Sequence, residues 1–396
     1  MSTNASHRIN RAMLCCGFSA FALLYCVQPL MPEMAHQFNL TPAQSSWPLS
    51  VTTIAMALTL LASGALSDRI GRKPLIAGAL AAAAVLALLS AFAQSFGQLL
   101  VLRGLLGVAL GGVPAAAMAY LNDEIEAQSL GHSMGVYIAG TALGGTAGRV
   151  FASVLTDFYS WRWSLGLIGV MGVYAAWEFW RSLPASRNFV EVRAGWQDSV
   201  DGALAHLRDD GLRSLYLIAF LVMGAFVSLY NYISFRLLGA PFGLSQSLVG
   251  LCSLLYLSGM FSAVWAGRLA DRIGRRNVLW AVTAAMLAGL LLTLSNSLFV
   301  IVAGLALLTA SFFAVHSVAS SWVGRRARGA RATASALYLF FYYVGAAAIG
   351  SLSGTVWIAA GWNGTVAVLA LALGLALVIA LRLRALVPLP AVPMYA

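Results

Sequence analysis

The chain reads GALSDRIGRKPL from Gly64 to Leu75 and GRLADRIGRRNV from Gly267 to Val278, 203 residues later. The DRIGR core is identical in the two copies, and the separation is about half of the 396-residue chain. Only 9% of the residues are charged. A charged, glycine-bracketed phrase written twice at that interval points to a duplicated half.

Hydrophobic residues make up 60% of the chain, and the mean hydropathy is +0.84. Both values lie far outside the range of soluble domains. A hydrocarbon core of ~30 Å takes about 20 apolar residues of helix to cross. Twelve stretches qualify, near 11–31, 44–66, 75–94, 98–121, 131–155, 162–182, 213–237, 245–267, 278–296, 298–323, 331–357 and 363–382. An outer-membrane barrel would show short alternating segments instead. Helices satisfy their own backbone groups in lipid, so the expected fold is all-α: a membrane protein of twelve transmembrane helices.

With twelve crossings, twenty of the 24 Lys and Arg collect on the side of the N-terminus. They cluster at Arg8 and Arg11, at Arg69, Arg72 and Lys73, from Arg181 to Arg213, from Arg268 to Arg276, from Arg325 to Arg331, and at Arg382 and Arg384. The positive-inside rule then puts both termini in the cytoplasm. It also accounts for the net charge of +11 without nucleic acid. The first span has no small-residue cleavage site after a short apolar core and reads as a retained helix. Cys15, Cys16, Cys26 and Cys252 all fall inside spans and read as packing residues in a reduced setting.

Hydropathy collapses between Leu183 and Arg213. Within that stretch Trp196, Val200, Leu204 and Leu207 recur at helical spacing, the pattern of a short amphipathic helix at the inner surface. Six spans precede it and six follow. The expected organisation is an N-terminal six-helix bundle (1–183), a cytoplasmic linker (184–212) and a C-terminal six-helix bundle (213–396).

Both DRIGR copies occupy the short inner loop between the second and third spans of their halves. At this position GALSDRIGRKPL resembles the loop signature of the major facilitator superfamily. The weaker second copy, the twelve spans and the central linker are similar to that family over nearly the whole chain. The resemblance implies two pseudo-symmetric six-helix bundles around a central cavity that opens alternately to each side. It implies gating roles for Asp68 and Arg72, with Asp123, Glu124 and Glu126 on offer as partners for the arginine at the inner end of the fourth span. Asp271 and Arg275 are the matching pair in the second half. These charges would govern conformation and not touch substrate.

The fourth span carries LRGLLGVALGG from Leu102 to Gly112, which resembles the family's arginine-and-glycine signature through Arg103 and Gly107. A charge within a span needs a partner and usually a task. For Arg103 two readings stand: contact with substrate, or a structural arginine that snorkels outward or bonds to carbonyls near the Pro29–Pro32 break of the first span. The fifth span reads GTALGGTAGRV from Gly140 to Val150. Its stripe of Gly140, Gly144 and Gly148, with Gly259, Ala263 and Gly267 and with Ala346, Gly350 and Gly354, is expected at the moving seam between the halves. The stretch also resembles the antiporter signature of drug-efflux members, but Gly145 replaces its Pro and Arg149 its last Gly. With SLYNYISFRLLGAPFGLSQ in the seventh span, it is similar to the YnfM-like, arabinose efflux-like branch of the drug:proton-antiporter group.

Proton coupling wants a titratable side chain within the membrane. Glu33, just beyond Gln28-Pro29, and His316 in the tenth span are the two candidates. Glu178 reads as an interfacial anchor. For substrate, the polar and aromatic residues of the cavity-lining spans are Tyr25, Gln28, Arg103, Arg149, Tyr230, Asn231, Tyr232 and His316, with Tyr338, Tyr342 and Tyr343 from the eleventh. Tyr and Asn suit a small amphiphile, combining hydrogen bonds with flat apolar area. No Ser-His-Asp grouping, metal-ligand spacing or phosphate loop points to an enzyme, a metal or another cofactor. The leading expectation is a monomeric secondary transporter for proton-coupled efflux of a small amphiphile. The alternatives are an exporter or facilitator of organic anions or sugars without proton coupling, and a lipid flippase of the same fold. Arg103 and Arg149 reach similar depths against one neighbouring carboxylate, Glu33, so either a carbonyl or an anionic substrate balances the second charge.

Overall fold

Apolar stretches in lipid must close their own backbone hydrogen bonds, and this chain closes them as helices. The computed structural model describes residues 3–186, 196–328 and 330–385. Among the described residues nine helical segments are long and apolar enough to cross a membrane. One of them, Arg331–Ala385, folds back on itself at Gly361 (φ 56°, ψ −148°) and so makes two spans. Trp47–Ile70 and Trp161–Ser182 are also of spanning length, which brings the total to twelve.

In chain order the spans are α1 (Ser6–Phe38), α2 (Trp47–Ile70), α3 (Arg72–Ser90), α4 (Phe96–Glu124), α5 (Ala127–Phe158) and α6 (Trp161–Ser182). The second six are α7 (Asp210–Leu238), α8 (Gln246–Ile273), α9 (Arg275–Leu292), α10 (Leu298–Arg326), α11 (331–360) and α12 (362–385). They form two pseudo-symmetric six-helix bundles. Several helices run past the limits read from hydropathy. The first continues through Gln28-Pro29 as a short 3₁₀ turn and then as Met31–Phe38.

The repeated phrase turns out to be a repeated bend. Gly71 ends α2 with φ 92° and ψ 152°, and Gly274 ends α8 with φ 90° and ψ 138°. A side chain at positive φ clashes with its own backbone, so glycine is the residue this turn accepts. The arginine-rich loops lie at one end of the bundle, called here the basic end. The opposite end is the far end.

Within each half, glycines let two helices touch backbone to backbone. A Cβ at Gly144 would lie 2.0 Å from the Phe18 carbonyl oxygen of α1, and one at Gly345 of α11 would lie 2.1 Å from the Phe220 carbonyl oxygen of α7. Gly140 and Gly148 likewise press on Leu14 and Ala22 of α1. The α5 stripe therefore packs inside its own half, not at the seam as the sequence suggested. Gly259 also faces its own half, against Phe313. Among the glycines of these stripes only Gly354 reaches across, to Ala43, while outside them Gly250 presses on Ser153 of α5. Gly144→Val should overpack the α1–α5 contact by about 1–3 kcal/mol. A lower melting temperature and loss of monodisperse protein are the expected readouts; wild-type melting would refute this packing account.

Between the bundles the linker helix Trp196–Arg208 docks on the basic end, where His206 Nε2 lies 3.2 Å from the Ala330 carbonyl oxygen. Asp209 caps α7 by accepting from the Leu212 amide at 2.7 Å. The same carboxylate takes both arms of Arg326, at 2.6 and 2.9 Å. Burial pushes the Asp209 carboxyl up, but the Arg326 guanidinium and the Leu212 amide hold it below its ordinary value.

Candidate functional site at the seam

The two halves meet along α2 against α11 and α5 against α8. Polar contacts across the seam lie toward the far end. The Ser351 hydroxyl is 3.2 Å from that of Ser46 and 2.8 Å from that of Ser50. Gln246 donates to the Pro29 carbonyl at 2.5 Å, and Ser247 donates to Asp157 through its hydroxyl at 2.6 Å. Small hydroxyls in the first turns of α2 and the last turns of α11 let the helices approach closely enough for these bonds.

Just below these contacts, Gln28 joins the halves. The 3₁₀ turn at Gln28–Leu30 turns its amide toward α7, where Nε2 donates to Asn231 Oδ1 at 2.8 Å. Its Oε1 accepts from Arg149 Nε of α5 at 2.7 Å. Arg149 also donates Nη1 to the Gly145 carbonyl at 2.7 Å. Its guanidinium carbon sits 4.2 Å from the ring centre of Tyr25 and 4.4 Å from that of Tyr256, one ring from each half. A cation between two aromatic faces gains from both ring quadrupoles. Among the described residues no carboxylate lies within ion-pair distance of Arg149.

The cluster continues toward the basic end. Tyr342 of α11 has Tyr343, Phe312 and Tyr338 beside it, with ring centres 5.2, 6.3 and 6.4 Å away. His316 of α10 packs beside Tyr342 and Tyr338, with ring centres 4.9 and 5.6 Å away, and its Nδ1 lies 3.1 Å from the Tyr338 hydroxyl. Tyr230 places its hydroxyl 2.7 Å from Thr309 and its ring 4.8 Å from Tyr256. Phe226 and Phe312 stack at 3.7 Å to close this side.

Other residues singled out in the sequence lie elsewhere. Arg103 is fully buried inside the N-terminal half and donates to the carbonyls of Leu23 and Leu24 at 2.9 and 2.7 Å. Of its two readings, the geometry follows the carbonyl one. Tyr232 donates to the Gly350 carbonyl at 2.6 Å and stacks near Trp357, so it packs α7 on α11 away from Gln28. Glu33 is exposed near the far end and pairs with neither Arg103 nor Arg149. The helix resumes at Met31, and its buried side is taken by Met31 and Met34, which turns Glu33 outward. Glu178 pairs with Arg11 at 2.8 Å near the basic end.

At the basic-end loops, Arg72 meets Asp123 at 3.2 Å and the Ser67 hydroxyl at 2.8 Å. Glu124 accepts from Ser186 at 2.6 Å. Asp68 lies on α2, and its side chain is outside the described residues. In the second half Arg275 turns back on Asp271 at 2.7 Å and reaches Ser321 at 3.1 Å. Thus the first loop grips α4, whereas the second grips itself and α10.

Sequence reasoning passed over Tyr256, Ser46, Ser50, Ser351 and Asp157. A tyrosine in an apolar span was the one available signal. A separate cavity of about 430 Å³ opens among α1, α5 and α6. Its walls include Leu14, Phe18, Leu143, Phe151 and Met171, apolar and turned toward lipid, and it lies apart from the seam.

The model of the Major Facilitator Superfamily matches residues 13–258 and 237–393. The chain is 44% identical to the uncharacterized MFS-type transporter YybF of Bacillus subtilis (strain 168) over 367 residues, covering 93% of this chain and 91% of that one. It is 46% identical to the inner membrane transport protein YnfM of Escherichia coli (strain K12) over 363 residues, 92% and 87% of the two chains. Its fold is similar to that of a bacterial homolog of the human lysosomal transporter Spinster, solved inward-facing and unoccupied, with a TM-score of 0.78 at 16% identity over 97% and 96% of the chains. With the repeated loops, twelve spans and the seam described above, these matches place the chain in the major facilitator superfamily as a membrane transporter.

Proposed function

We propose that the protein exports a small amphiphilic molecule across the inner membrane by alternating access, with protons as the coupling ion. The observation that carries this reading is the aromatic cluster built by both halves beneath the far-end contacts. Tyr25, with Gln28 and Arg149, comes from one half, and Tyr256, Tyr338 and Tyr342 from the other. A molecule held among side chains of both bundles is exposed to one side or the other as the bundles rock. In this reading the basic end faces the cytoplasm, the chain divides at 1–183, 184–212 and 213–396, and the far-end bonds are the closed outer gate. Asp68, Arg72, Asp123, Glu124, Asp271 and Arg275 serve the inner gate.

Proton coupling then passes through His316, not Glu33. Every acidic residue of the spans, among the described ones, lies near a helix end, which leaves the span interiors without a carboxylate. His316 sits ten residues from the end of α10, about 15 Å deep at ~1.5 Å per residue. It touches Tyr338 and Tyr342 of the cluster. In proteoliposomes with an imposed pH gradient, His316→Gln should lose gradient-driven transport by tenfold or more. Substrate exchange at equal pH should stay within a few-fold. Undiminished gradient-driven transport by the variant would remove His316 from the coupling path.

A further inference from the structure

The reading above leaves the chemistry of the amphiphile open, and the donors around Gln28 narrow it. Arg149 is 3% exposed and, among the described residues, has no carboxylate partner. Two of its nitrogens are used: Nε on Gln28 and Nη1 on Gly145. Nη2 donates to no protein group among the described residues. The order of the amides follows from that arginine. A guanidinium only donates, so Gln28 must turn its oxygen to Arg149 and its Nε2 to Asn231. Asn231 then turns its oxygen to Gln28, and its Nδ2 is left buried without a partner. The Tyr256 hydroxyl, on a ring that flanks Arg149, is also buried and unpartnered.

The site therefore holds a surplus of donors and one uncompensated cation, in a place where an unpaired buried charge is costly. What it lacks is an acceptor with negative charge. The surrounding surface is flat and aromatic, from Tyr25, Tyr256, Phe312 and Tyr342. We propose that the transported amphiphile is an organic anion, a planar apolar body carrying a carboxylate, and that its carboxylate binds Arg149 between Tyr25 and Tyr256. Arginine suits this task because its planar fork matches a carboxylate and stacks on aromatic rings at once. The proposal rests on the seam being the substrate site.

The test uses the purified full-length protein with 2-naphthoate and its neutral counterpart 2-naphthamide as probes. Binding is read by thermal shift and by tryptophan fluorescence titration. Wild type should bind 2-naphthoate at least tenfold more tightly than 2-naphthamide. Arg149→Gln should erase that preference, and Arg149→Lys, which keeps the charge but not the fork, should retain part of it. Tyr256→Leu keeps the cation and guards against a poorly folded Arg149→Gln; it should weaken 2-naphthoate several-fold. Equal binding of the two probes by wild type, or unchanged 2-naphthoate binding by Arg149→Gln, overturns the anion site while leaving the amphiphile reading intact. If neither probe binds wild type, the proposal is overturned as well. Whether the seam is the substrate site is then decided separately by Tyr342→Ala, whose unchanged transport would sink the amphiphile reading too.

Discussion

A variant carrying Ser50→Cys and Ser351→Cys, with the four native cysteines replaced by Ala, is expected to transport at background level when oxidised and to recover on reduction. The two hydroxyls lie 2.8 Å apart on α2 and α11, so a covalent link there would fix the contact seen in this conformation. Alternating access requires these helices to part at the far end in each cycle. One cross-link should therefore stop turnover without touching the aromatic cluster. Binding of a substrate added from the basic end should persist in the cross-linked form. The control is either single variant, which should transport under oxidation. Normal transport by the fully cross-linked protein would mean that the far end need not open, and the alternating-access reading would go with it.

The parts of this molecule that could be read from sequence are those governed by the bilayer and by backbone sterics. Twelve apolar stretches follow from hydrocarbon thickness, and the basic residues fall at one end of the bundle. The DRIGR repeat marks two bends because Gly71 and Gly274 need nearly the same positive φ. Partner choice was harder to read. The Gly140, Gly144 and Gly148 stripe announces a close helix contact, but a smooth face does not say which helix meets it; α1 does. Glu33 follows Gln28-Pro29 closely enough to read as a coupling acid, but spacing alone does not say which side of the helix it takes. The break at Pro29 and the new helix from Met31 rotate it to the surface. Ser46, Ser50 and Ser351 carry no signal at all, since an isolated serine in an apolar helix usually bonds to its own backbone. Arg149 could be recognised as a buried charge from sequence, yet its cage could not, because Tyr256 lies 107 positions away in another helix.

The break at Pro29 also explains Arg103, and Arg103→Leu is expected to be among the most damaging single changes in the chain. Pro29 has no N–H, and the α-helical ladder of α1 ends at Tyr25. Past that point Cys26 still donates to Ala22, but among the described residues no later backbone amide donates to the carbonyls of Leu23 and Leu24. In lipid such orphan groups are costly, and Arg103 reaches across from α4 to cap both. The leucine variant would leave the Leu24 carbonyl unsatisfied and the Leu23 carbonyl with only the Cys26 thiol, 3.4 Å away, at a cost of about 1–3 kcal/mol for the orphaned group. Arg103→Lys should not rescue it, because one ammonium replaces a fork that spans adjacent carbonyls. Tyr25 and Gln28 follow these carbonyls in the chain, so the loss should appear in stability and in the geometry of the Arg149 cluster together. A fall in melting temperature accompanied by weaker ligand binding is the expected pattern. Transport lost at an unchanged melting temperature would instead make Arg103 a direct substrate contact.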